Sequence, residues 1–160
     1  PGTYYISCDY GTQNPTVFGL WRVYKGKAVM EKEYYHSGRE TNRQKTDEEY
    51  YKDLECFADG YKIERIIIDP SAASFAECIR RHGKFAVWKA NNSVLDGIRL
   101  TGALLQSGRL KFHESCVHAF EEFGLYSWEK DTPEDAVIKE NDHVMDSIRY
   151  LCMTVLRRAL

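Results

Sequence analysis

The chain reads as a mixed α/β protein, a single sheet with helices on both faces. Two observations predict this. The first third holds three segments rich in aromatic and β-branched residues, joined by short turns. The rest alternates apolar strand-like runs with amphipathic helical stretches, the pattern that buries a sheet between helices. At 160 residues the length suits one domain with one sizeable core, and no internal repeat, low-complexity tract or second domain is visible.

The opening strands are "TYYISCDYG" (Thr3–Gly11), "TVFGLWRVY" (Thr16–Tyr24) and "AVMEKEYYH" (Ala28–His36). Their links, "GTQNP" and "KGK", carry turn chemistry, so the three form an antiparallel meander. "SGRETNRQKT" (Ser37–Thr46) is polar and is expected to be a mobile loop. In "TDEEYYKDLECFADG" (Thr46–Gly60), Thr46 is an N-cap candidate, acids fill the first turn and Gly60 is a stop, which together mark a helix. "IERIIID" (Ile63–Asp69) is a continuous apolar run of the kind found in buried parallel strands. "SFAECIRRHG" (Ser74–Gly83) follows as a helix, "FAVWKA" (Phe85–Ala90) as a second buried strand, and "SVLDGIRLTGALLQSG" (Ser93–Gly108) as a helix weakened by Gly97 and Gly102. "RLKFH" (Arg109–His113) reads as a short edge strand, "SCVHAFEEFGLYSW" (Ser115–Trp128) starts helical, "EKDTPED" (Glu129–Asp135) is a charged loop, and "NDHVMDSIRYLCMTVLRRAL" (Asn141–Leu160) is a closing helix.

Composition excludes several classes. No apolar run approaches the ~18–20 residues that cross a bilayer, and the first residues do not resemble a signal peptide. The five cysteines (Cys8, Cys56, Cys78, Cys116 and Cys152) are odd in number and widely spaced, without a CxxC pair. That argues against a disulfide framework or zinc ribbon and for a reducing cytoplasm, with most thiols in the core. The net charge of −2 lacks the basic excess of a domain that grips nucleic acid unaided, so any DNA binding should be weak and strongly salt-dependent. A start at Pro1-Gly2 without Met reads as an internal cut, and the chain is expected to be a piece of a longer protein.

The chemistry-bearing residues are carboxylates. Along the first strand Tyr5, Ser7 and Asp9 share one face, and Tyr4, Ile6, Cys8 and Tyr10 the other. Asp9 is costly there unless paired or metal-bound; its structural role would be to start the next turn. Asp69 ends a parallel-type strand, where α/β proteins place functional groups; its structural role would be to cap the next helix. In the closing helix, Asp142 and Asp146 stand at i, i+4 and His143 and Asp146 at i, i+3, on one face. Acids in a first turn suit the helix dipole. That accounts well for Asp142 and less well for Asp146, which lies beside the apolar stripe of Val144, Met145 and Ile148. Two acids and an imidazole make a ligand set for a hard or borderline cation.

Elsewhere, His113, Cys116 and His118 lack the fourth ligand and clean spacing of a zinc site. Lys89 follows a buried strand near the presumed active edge, and Arg39, Arg43 and Lys45 form a basic loop. Each fits either a DNA phosphate contact or simple solvation. Arg157 and Arg158 suit the dipole at a helix C-terminus.

Acids in the first strand, after the next buried strand and in the last helix together resemble the ribonuclease-H-like nuclease and integrase sheet. More closely, "ISCDYGTQNPTVFGLW", "IIIDPSAASF", "VWKANNSVLDGIRLTGALLQSGRLKFHESC" and "VIKENDHVMDSIRYLC" resemble the C-terminal nuclease domain of the large terminase subunit of tailed bacteriophages. The resemblance spans nearly the whole chain and is most specific in the D-H-x-x-D-x-x-R-Y block. It implies a ribonuclease-H-like mixed sheet, three antiparallel strands followed by parallel ones. It implies an endonuclease that cuts concatemeric double-stranded viral DNA, with little sequence specificity, at the start and end of packaging into procapsids.

By the same resemblance Asp9, Asp69 and Asp146 are the acidic triad, holding two ions of Mg²⁺ or Mn²⁺. His143 matches a histidine found beside the last acid in some members, as a metal ligand or a contact to the scissile phosphate, which would suit Mn²⁺. Asp142 is a fourth candidate ligand and Asp135 a weaker one. An ATPase domain normally precedes this one, but no GxxxxGK[ST] loop occurs here. The small terminase subunit and the portal protein would be partners, in the cytoplasm of the infected host and transiently at the procapsid portal, with no membrane involved. The alternatives are another ribonuclease-H-like nuclease, such as a resolvase or transposase core, and a non-catalytic module that grips DNA or the portal.

Overall fold

The computed structural model describes residues 1–11, 14–128 and 142–159. Six strands form one sheet in the order β5-β4-β1-β2-β3-β6. β1 (Thr3–Asp9), β2 (Thr16–Tyr24) and β3 (Lys27–His36) are the antiparallel meander, and β4 (Ile63–Ile68) and β5 (Val87–Lys89) extend it in parallel beyond β1. Among the described residues β6 (Leu110–Phe112) pairs with β3 alone, as the short edge strand its sequence implied.

The helices divide between the two faces. α2 (Asp47–Ala58) and α3 (Ala73–His82) cover the face of Ile6, Cys8, Phe18, Leu20, Ile66 and Ile68, inserting Tyr50, Leu54, Phe75 and Ile79. α4 (Val94–Gln106), α5 (Val117–Trp128) and α6 (His143–Thr154) cover the other face, against Val17, Trp21, Ala28 and Met30. Alternation along β1 and β2 thus builds two cores back to back. β4 is buried on both sides: Ile66 and Ile68 enter the first core, while Ile67 packs with Ala90 and Tyr150. This is why its sequence runs apolar without alternating. Four of the five cysteines are buried and all five are free thiols. Among the described residues no helix is long and apolar enough to cross a membrane.

Two segments differ from expectation. Ser37–Thr46 is not plain loop: Ser37 caps a short helix, α1 (Gly38–Thr41), by accepting from the Glu40 N–H, and Asn42 closes it in the left-handed region. Polarity hid a serine cap at one end and a left-handed asparagine at the other. The closing helix ends at Thr154, and Leu156–Ala159 continue as a 3₁₀ turn, so Arg157 and Arg158 stand in that turn, not at the α-helix terminus.

The two glycines of α4 have opposite roles. A Cβ on Gly97 would stand 2.9 Å from Arg149 Cδ, so α4 and α6 approach closely there. Gly102 is exposed with nothing within 4 Å of such a Cβ. Gly102→Ala should therefore raise the unfolding free energy by ~0.5–1 kcal/mol through helix propensity, while Gly97→Ala should lower it. Urea midpoints of the two variants check the opposite signs.

Candidate active site

The register of β1 against β4 places the first two acids side by side. Cys8 pairs with Ile68 in parallel, so the next residues, Asp9 and Asp69, emerge together at the C-terminal edge of the sheet. α6 crosses the Ser7 face of β1, where Ser7 Oγ and Ser147 Oγ lie 2.6 Å apart. That contact brings His143, Asp146, Arg149 and Tyr150 to the same edge. With Tyr10, Gly11, Asn14, Pro15, Asn92 and Val94, these residues line one open cleft of ≈ 290 Å³.

Each acid has a defined partner. His143 Nδ1 lies 3.1 Å from Asp9 Oδ2. The Tyr150 hydroxyl donates to Asp69 Oδ2 at 2.7 Å and the Ser71 N–H donates to Asp69 Oδ1 at 2.8 Å. Arg149 Nη2 donates to Asp146 Oδ1 at 2.5 Å, and Nη1 of the same guanidinium donates to the Ser93 carbonyl at 3.1 Å. The last contact ties α6 to the start of α4. Asp69 therefore shapes the turn before α3 through Ser71, while the N-cap position of α3 itself is Ala72.

The electrostatics separate the three. Burial pushes Asp9 up, the bonded His143 pulls against it, and the charges of Asp69 and Asp142 push the same way as burial. Burial also raises Asp146, to about 6; Arg149 offsets part of this and the Asp9 charge adds to it. Asp69 is also penalised by burial, but the bonds from Ser71, Tyr150 and Asn92 outweigh that and leave it below the usual carboxylate range. His143 is raised, chiefly by its bond to Asp9. Burial is the larger cause of both upward shifts, and the neighbouring carboxylate charges add to it.

The remaining sequence candidates scatter. Asp142 is 6% exposed, so it is not a solvated first-turn acid; its carbonyl accepts the Asp146 N–H at 2.8 Å, and it does not line the cleft. Lys89 is exposed, paired with Ile68 at the end of β5. Arg39 lines a second hollow that shares Tyr10, Gly11 and Asn14 with the cleft. Arg43 and Lys45 are engaged locally, with Glu49 at 2.6 Å and Asp53 at 2.5 Å. Asp135 lies outside the described residues. His113, Cys116 and His118 form no ligand set: His113 bonds Ser115, Cys116 is buried, and His118 stacks on Tyr35 and pairs with Glu33.

Glu122, on α5, escaped the sequence reading. It is 4% exposed, and its two carboxylate oxygens accept the Val144 N–H at 3.1 Å and the Met145 N–H at 3.0 Å. A side chain from another helix thus satisfies donors at the start of α6 that Asp142 leaves without a side-chain cap. Burial raises Glu122 to about 7, against the pull of those two bonds.

No family model matches the chain. It is 28% identical to the large terminase subunit of Escherichia phage T5 over 158 residues, which covers 95% of this chain and 35% of that protein. The large terminase of a thermophilic bacteriophage, solved with ADP, is 43% identical and superposes with a TM-score of 0.88 over 98% of this chain and 40% of its own. The chain thus spans well under half the length of these relatives. Two nuclease domains share the fold. That of the P22 large terminase has a TM-score of 0.73 at 20% identity, over 99% of this chain and 88% of its own. The large terminase nuclease of thermophilic phage G20c, solved with bound zinc, has a TM-score of 0.64 at 15% identity, over 94% of this chain and 80% of its own.

Because the Glu122 pKa is raised on folding, its protonated form favours the native state. That stability is complete below the ordinary glutamate value of ~4.5 and is lost as pH rises through about 7. Measured in EDTA, the stability of the parent should fall relative to Glu122→Gln by on the order of 2 kcal/mol across this window. Urea unfolding at about pH 5 and pH 8 reads the difference, and parallel curves would refute it.

The sheet order and the likeness over nearly all 160 residues agree: this chain is a homologue of the phage large terminase subunit, with the ribonuclease-H-like fold of the large terminase nuclease domains.

Proposed function

We propose that the chain is a divalent-metal-dependent endonuclease that cuts concatemeric double-stranded viral DNA to begin and end genome packaging. The observation that carries this reading is the meeting of Asp9, Asp69 and Asp146, with His143, in one open polar cleft. On this reading the chain is one domain of a longer protein whose ATPase domain precedes it. The small terminase subunit and the portal are its partners, and it works in the host cytoplasm and at the procapsid portal. Non-catalytic gripping of DNA or the portal would not require three half-buried acids to be held together in one cleft.

The donor set fits hard divalent cations. Asp9 and Asp146 are held above their ordinary pKa by burial and by neighbouring acids, a cost that a bound cation removes. Oxygen donors suit Mg²⁺ or Mn²⁺, and the imidazole of His143 favours Mn²⁺ of the two. Asp9, Asp69 and Asp146 would hold two such ions, with His143 and Asp142 as further candidates. When bound, the pair supplies an activated water and stabilisation of the leaving 3′-oxygen. The chain's own groups set the geometry. Tyr150 and Ser71 fix the rotamer of Asp69, Arg149 fixes Asp146, and His143 keeps a protonatable nitrogen on Asp9. Arg39, on the hollow that continues the cleft, is the best placed of the cations for the DNA backbone. Lys89 stands at the sheet edge, while Arg43 and Lys45 are partly neutralised by Glu49 and Asp53.

Plasmid nicking and linearisation at low salt should require Mn²⁺ or Mg²⁺ and stop in EDTA. Asp69→Asn should lower the rate by about 10²–10³-fold, the several kcal/mol expected of a lost metal ligand. Cutting that survives Asp69→Asn would sink the assignment. If neither protein cuts, a Mn²⁺-induced rise in melting temperature that Asp69→Asn abolishes separates a nuclease lacking its ATPase domain from a docking module. For Arg39→Ala, DNA binding should weaken alike across sequences, with the slope of log K against log[salt] reduced by about 1.

A further inference from the structure

Away from the cleft, among the described residues, one set of side chains brings three metal-ligating atoms within 4.8 Å of one another: Glu48, Cys78 and His82. Cys78 and His82 are four residues apart on α3 and so share a helix face. Glu48 reaches them from the first turn of α2. The Cys78 thiol donates to Glu48 Oε1 at 3.3 Å, and His82 Nε2 lies 2.8 Å from Glu48 Oε2. Tyr51, also on α2, stacks flat on the imidazole with centroids 3.7 Å apart and planes 4° apart. The ring is thereby held with Nε2 towards the carboxylate.

Sulfur, nitrogen and oxygen together are the donors of a borderline-soft ion such as Zn²⁺, whereas Mg²⁺ and Ca²⁺ take oxygen alone. Around a tetrahedral zinc with ordinary bond lengths, such ligand atoms stand roughly 3.4–3.6 Å apart. The contacts of 3.3 and 2.8 Å need to open by less than an ångström. The Glu48 and His82 side chains are 60% and 38% exposed, so an ion arrives from solvent and a water completes the fourth position. The thiol, held at about 11 by burial and by Glu48, would lose its proton to solvent as the ion binds.

We propose that Glu48, Cys78 and His82 form a second metal site, specific for zinc-class cations, that staples α2 to α3 independently of the acids in the cleft. Its position gives it a consequence for the cleft. Asp47, next to Glu48, accepts a hydrogen bond from Tyr10, a cleft-lining residue, and α3 begins just after Asp69. A clip between the two helices therefore stiffens one wall of the site.

Cobalt(II) is the probe, because a thiolate-to-cobalt charge-transfer band in the near ultraviolet reports sulfur ligation and an all-oxygen site gives none. Titrating the 160-residue chain with Co²⁺ should produce this band, saturating at one equivalent, and added Zn²⁺ should erase it. Cys78→Ser should abolish the band. His82→Gln, at an exposed position, should weaken Co²⁺ binding by more than the ~10–100-fold typical of an outer-shell partner. Asp69→Asn and Cys56→Ser should both retain the band. Absence of the band in the parent overturns the proposal, as does its loss in Asp69→Asn or in Cys56→Ser. Unchanged affinity in a folded His82→Gln overturns it as well, whatever becomes of the Cys78 variant.

Discussion

The geometry of the cleft depends on how closely α6 lies against β1. Two buried serines set that distance: Ser7 and Ser147 share a hydrogen bond at 2.6 Å, and the Trp21 indole donates to Ser7 at 2.9 Å. Small hydroxyl side chains let a helix approach a strand, and mutual bonding meets the cost of burying them. The neighbouring strand cooperates, since a Cβ on Gly19 would stand 3.1 Å from Ser7 Oγ and 2.9 Å from Trp21 Nε1. Ser7 precedes Asp9 by one strand repeat, and Ser147 adjoins Asp146. The contact that docks the helix therefore also sets the spacing of two acids.

Such a cluster is unfavourable by itself, and the surroundings show how it is held. Arg149 is buried, yet it satisfies Asp146 and the Ser93 carbonyl together, so its charge is used and not stranded. Tyr150 commits its only hydroxyl proton to Asp69. Glu122 accepts two N–H groups at the start of α6, bonds that pull against the upward shift burial gives it. These groups prevent the acids from relaxing apart. The burial and like charge that raise Asp9 and Asp146 are thereby held in one place.

Much of this was legible in the sequence. The acids could be placed because period-2 alternation put Asp9 with Ser7 and Tyr5, and because the unalternating Ile66–Ile68 run marked β4 as buried on both faces. The i, i+3 spacing of His143 and Asp146 survived as a shared helix face. Contacts between distant elements were not legible. Nothing near Glu122 in "FEEFG" indicates that it will cap α6, because that role depends on how α5 packs against α6. Cys78 and His82 stand at i, i+4, but their third partner lies 30 residues upstream, and the sequence alone did not single them out. The "HESCVH" cluster, close in sequence, is dispersed in space because Cys116 turns into the core while His118 stacks on Tyr35.

Gly97 connects these threads. The glycine looks like a defect in α4 when judged by propensity alone, at a cost of about 1 kcal/mol. In the fold it makes room for the aliphatic stem of Arg149, whose guanidinium then reaches both Asp146 and the start of α4. Local helix stability is exchanged for the position of a carboxylate in the cleft. Gly102, further along the same helix, has no such contact. The two residues look alike in the sequence and differ only in what the neighbouring helix places against them, so the strain a fold accepts for its site is read from the packing and not from the residue type.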